Sequence, residues 1–168
     1  MILSDFYEAI MEQLTANIPE IKHFDMYFAQ DEPKEEQDEL PFNRPAILFE
    51  FEPMDFESFG TKKEAANITF NLHIISDVIQ EVSKETSPTV RNLGHAHLKL
   101  IDDIAYYLNG FTGTGFSTLS RKSLDTYKPN GMMIKHVAKY GTRLTDTAAV
   151  VDLLHRTPDS TITTVVVK

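Results

Sequence analysis

The chain has no cysteine, which removes disulfides, thiolate metal centres and cysteine nucleophiles together. No apolar run reaches the ~20 residues of a membrane span. The first residues, MILSDFYEAIMEQL, carry acids early and lack the basic, apolar and small-residue blocks of a signal peptide. A soluble, non-secreted protein with no membrane partner is the expectation. Bases are also scarce. Sixteen Lys and Arg against 25 Asp and Glu leave a net charge of −9, which argues against a nucleic-acid backbone as the main partner. No internal repeat and no low-complexity block is present outside one acidic stretch.

What is present suits a single core. A length of 168 residues with 42% hydrophobic content fits one domain. Folding at this size removes roughly 70% of the unfolded chain's surface from water. The charge is unevenly spread. Ten acids lie between 31 and 57 against Lys34 and Arg44, whereas six bases lie between 121 and 143 against Asp125 alone.

Periodicity gives the elements. Leu3, Phe6, Tyr7, Ile10, Leu14 and Ile18 recur at helical spacing, Ser4 is a residue suited to capping, and Pro19 stops the run. A short strand over 24–29 comes next. QDEPKEEQDELP, at 30–41, combines charge and proline without an apolar anchor, so a solvated, flexible loop is expected. In AILFEFEP, Ile47, Phe49 and Phe51 alternate with Leu48, Glu50 and Glu52 until Pro53. PMDFESFGTKK reads as a connection to a long strand over 64–76. In that strand Ile68, Phe70, Leu72 and Ile74 alternate with Asn67, Thr69, Asn71 and His73. The two strands make an antiparallel hairpin.

One helix is predicted over 89–109, stopped by Gly110, then strands over 116–126 and 132–145 joined by the turn KPNG. The order α-β-β-β-α-β-β describes an α+β domain over 1–146, mainly antiparallel, with two helices packed on one sheet face. Residues 147–168 form a C-terminal extension whose β-branched end, STITTVVVK, suits an edge strand or an arm exchanged with a neighbour.

Chemistry is harder to find. His95 and His97 are two residues apart on a helix, about 200° of rotation, so their rings diverge where ligands need three- or four-residue spacing. Asp102-Asp103 and Glu35-Glu36 are neighbours that point apart or sit in the loop. The glycines of FTGTGF follow a helix and precede a strand, the inverse of a phosphate-binding turn. No serine lies in a GxSxG elbow. No catalytic residue, cofactor or metal ligand is therefore assigned. His73 and His136 each lie in a strand, and a small-ligand or metal-dependent enzyme built on them with nearby carboxylates is one alternative.

The expected helix-free face of the sheet carries Asn67, Thr69, Asn71 and His73. Long strands, the separated charge blocks and the β-branched tail favour self-assembly through that face. On this reading the acids Glu50 and Glu52 of one subunit meet the bases Lys135, Lys139 and Arg143 of another. Repeated contacts between unlike patches close into rings or run into filaments. A monomeric module capturing a protein segment on the same sheet is a further alternative.

The segments RPAILFEFEP, EAANITFNLHIISD, LKLIDDIAYYLNGF and MMIKHVAKYGTRLTD, behind an N-terminal amphipathic helix, resemble the tail-terminator and tail-completion proteins of long-tailed bacteriophages. The resemblance spans 1–146 and leaves the acidic insertion and the tail after 158 unplaced. It implies a small α+β subunit that assembles into a homo-oligomeric ring, commonly a hexamer. Such a ring caps the tail tube and docks it to the head connector. DNA would pass through the lumen without sequence-specific binding. The implied location is the virion and, during assembly, the bacterial host cytoplasm.

Overall fold

The computed structural model describes residues 2–31, 41–59, 63–77, 84–85, 87–127 and 133–146. Most of the acidic loop, the KPNG turn and the C-terminal extension lie outside the described residues. The first helix, α1, runs Ile2–Asn17 and buries Phe6, Ile10 and Leu14, with Ile18 just beyond its end. Ser4 lies inside its first turn rather than capping it. No helix among the described residues is long and apolar enough to cross a membrane.

Strands β1 (His23–Met26), β2 (Ala46–Phe51), β3 (Phe56–Ser58), β4 (Glu64–Asp77), β5 (Ser120–Tyr127) and β6 (Met133–Asp146) form one sheet. Its order is β1-β2-β4-β6-β5, with β3 paired to the start of β4. Only the β1–β2 pairing is parallel. Register puts the apolar set on one face in rows. Phe51 lies opposite Phe70 and Phe70 opposite Tyr140; Ile47 lies opposite Ile74 and Ile74 opposite His136.

That face is covered by α1 and by α3 (Ala96–Leu108), which contributes Leu100, Ile101, Ile104 and Leu108 to the main core. Phe6 stands edge-on to Phe70 and Phe116, with centroids 5.4 and 4.9 Å away, a geometry that aromatic quadrupoles favour. The α+β architecture, with both long helices on one side of a mainly antiparallel sheet, agrees with the periodicities.

Four details depart from them. The predicted helix over 89–109 is two, α2 (Pro88–Gly94) and α3, parted at His95 beside the buried Gly94. β1 stops at Met26, short of 29, because Ala29 takes a positive φ of 58° and the Gln30 amide donates back to the Met26 carbonyl at 2.7 Å. The connection after Pro53 contains β3, where Phe56 pairs with Ala66. β5 begins at Ser120 rather than 116, because Phe116, directly after Gly115 (φ 82°), turns into the core with its ring against Gly113.

Candidate functional site

On the reverse of the sheet, the polar residues singled out by alternation are drawn into one network. Glu50 lies opposite Asn71 and Asn71 opposite Lys139, three strands in one row. The Asn71 amide donates to Glu50 Oε2 at 3.1 Å and to Glu52 Oε1 at 3.4 Å. Lys139 Nζ pairs with the same Glu52 oxygen. One row further, His73 Nε2 lies 2.8 Å from Glu50 Oε2.

Lys135 Nζ lies 2.5 Å from Asp31 Oδ2 and 5.0 Å from the Tyr27 ring centroid. Arg143 faces Asn67 across the strands, lies 3.7 Å from Glu57 and sits over the Phe59 ring. Thr69 contributes its carbonyl, which accepts from the Glu52 amide at 3.0 Å.

The separated acidic and basic blocks therefore meet within one chain. Three carboxylates, on Asp31, Glu52 and Glu57, take the three bases expected to reach a neighbouring subunit. The cause is strand order: β6, which carries the bases, lies next to β4, and β4 is flanked by β3, which holds Glu57, and by β2, which Glu52 directly follows, while Asp31 comes after β1. Charge separation along the sequence thus gives no independent reason to expect pairing between copies.

Nor is the face bare throughout. Tyr27 stacks on the His73 ring at 3.9 Å and 8°, and Phe42, Ala46, Leu48 and Ile75 form a second small core beside it. His73 is consequently only 6% exposed, whereas Asn67 at the other end is in solvent. Sequence reasoning missed Tyr27, Asp31 and Phe42. Tyr27 and Phe42 flank the acidic insertion, and two aromatics bracketing a polar loop were the available signal.

Burial pushes the His73 imidazole below its ordinary 6.5, and Lys135 adds to this while the Glu50 hydrogen bond resists it. For Glu50 burial acts upward, but hydrogen bonds from His73 and Asn71 outweigh it and the carboxyl falls below its usual range. We assign a neutral His73 with the proton on Nε2, donated to the Glu50 carboxylate. Nδ1 is then a buried acceptor without a partner.

The two strand histidines do not meet. His136 stands opposite Ile74 on the helix-covered face, and His73 stands opposite Val137 on the reverse. His136 instead stacks against His97 at 5.7 Å and accepts or donates to Thr126 Oγ1 at 3.0 Å through Nδ1. Burial, then the neighbouring His97, pushes His136 down. Among the described residues no group of three or more His, Cys, Asp or Glu side chains is placed to hold a metal ion.

No family model and no curated protein matches this chain. Its charge-compensated, cross-linked polar face offers hydrogen-bonding groups at fixed positions.

Proposed function

We propose that this chain is a structural subunit that acts by joining copies of itself into a ring. The functional likeness is to the phage tail-terminator and tail-completion proteins that its segments resemble. In that role it closes the end of a tail tube, meets the head connector, and resides in the virion. The net charge of −9 would let DNA slide through a lumen rather than stick to its wall.

One observation carries the proposal. β5 is exposed at all eight of its residues, and among the described residues no strand pairs with its outer edge. Leu124 and Tyr127 remain 40% and 54% exposed. They lie on opposite faces of that strand, since Leu124 stands beside Ala138 and Tyr127 beside Lys135. A long edge with apolar side chains on both faces is a template for pairing with another chain. The opposite edge, β1, is likewise open among the described residues. Joining β5 of one copy to β1 of the next is a heterologous contact, the kind that closes into a ring.

Native mass spectrometry and light scattering across concentration and salt test this. The wild type should give one discrete oligomer, and the double substitution Leu124→Lys with Tyr127→Lys should give monomer with unchanged circular dichroism. A wild type that stays monomeric under every condition would overturn the proposal.

A further inference from the structure

An open strand edge is a row of unmet donors and acceptors, and soluble proteins charge it, kink it or cover it. The start of β5 has the first two devices: Arg121 and Lys122 lie there, and its pairing with β6 is irregular between Arg121 and Ser123. From Ser123 to Tyr127 only Asp125 is charged and the register is even. That stretch carries the exposed Leu124 and Tyr127 on opposite faces, so covering is the device left for it.

The sequence contains a segment of matching chemistry. Thr161 to Val167 are seven consecutive β-branched residues without a charge, a glycine or a proline, the composition of a segment that pairs as a strand. Val165 and Val166 would point to opposite faces of such a strand, as Leu124 and Tyr127 do on β5. With no charge of its own, the segment meets Asp125 without a like-charge clash.

Reach selects the site and the direction. Ser123 stands beside Lys139, seven residues back along β6 from Asp146, so its outer edge lies about 26 Å from the end of β6. Residues 147–160 supply fourteen residues of connection, and a relaxed chain of that length spans on the order of 20–25 Å. Entry at the Tyr127 end, for antiparallel pairing, needs about 39 Å, because Tyr127 stands beside Lys135. The outer edge of β1 is about 33 Å away at its nearest residue, Met26, four strand spacings across the sheet. A tethered segment also meets its site at an effective concentration in the millimolar range, far above that of another copy in micromolar solution.

We propose that residues 161–167 pair in parallel with Ser123–Tyr127 of their own chain and shield that edge in the free subunit. This rests on β5 being the joining edge: a neighbouring copy must displace the segment to use it, so the segment holds assembly back.

The chain lacks cysteine, so a nitroxide on Thr164→Cys labels one position alone. In dilute protein it should broaden the NMR amide signals of Ser123 to Tyr127, but not those of unlabelled, isotope-enriched copies mixed with it. The full-length double variant Thr163→Pro with Val165→Pro cannot join a ladder. It should speed hydrogen exchange in β5 about tenfold and lower the concentration at which oligomers form about tenfold. No broadening, broadening only between copies, or β5 exchange unchanged by the prolines would each overturn the proposal. Oligomers forming at the same concentration with and without the prolines would overturn the restraint and leave the ring standing. Broadened β5 signals with faster exchange in the variant, but no oligomer from either chain, would uphold the pairing and sink the ring.

Discussion

On the helix side of the sheet Phe51, Phe70 and Tyr140 stand in one row across β2, β4 and β6; one residue along each strand, Glu50, Asn71 and Lys139 stand in a row on the reverse. The same three strands therefore carry an aromatic stack and a salt-linked ladder back to back. The helix side is held by burial, which is non-directional and proportional to area. The reverse is held by directional contacts that are partly open to water and so worth little each. Strand period ties the two together: a slip of one residue would exchange every side chain between them.

The largest effect should come from the aromatic row. Phe70→Ala removes a fully buried ring that touches Phe6, Phe49 and Tyr140. It should lower stability by about 3–5 kcal/mol in urea denaturation. A loss below about 1 kcal/mol would deny the helix side its dominant part.

Acidification should act next, and on both faces. His73 and His136 are each held below their ordinary value of 6.5 in the folded chain. The unfolded chain therefore binds more protons, so stability is full above 6.5 and declines as pH falls through it. Glu50, also depressed, adds its loss only lower, as pH falls below the ordinary 4.5. Thermal melts from pH 7.5 to 5.5 should show the histidine part, and the double substitution His73→Gln with His136→Gln should flatten it. A wild-type profile level across that window would contradict the burial of both rings.

The smallest effect belongs to the ladder. Lys139 and Glu52 have side chains 37% and 29% exposed. Lys139→Met should change stability by less than about 1 kcal/mol and become less noticeable still in high salt. A change above about 2 kcal/mol would make the polar face a structural equal of the helix side.

Much of this was legible in the residues. Alternation in NITFNLHI placed each side chain of β4 on its correct face, and helical spacing gave Phe6, Ile10 and Leu14 as the buried stripe of α1. What alternation does not encode is which strand lies beside which. The order β1-β2-β4-β6-β5 brings Lys135, Lys139 and Arg143 to the acids of their own chain, a pairing between segments far apart in sequence. The small core around Phe42 escaped for the same reason. Leu48 and Ile75 fall on the polar side of the alternation and become apolar company only across β2 and β4.

β4 has a further consequence for how the molecule comes apart. It is flanked on one edge by β2 and β3 and on the other by β6, and Leu72 through Ser76 are buried on both of its faces. Peeling away β1 or β5 disturbs a rim. Withdrawing β4 would open both cores in the same event, so its central amides should be the last to trade their hydrogens with solvent, whichever end of the chain loosens first.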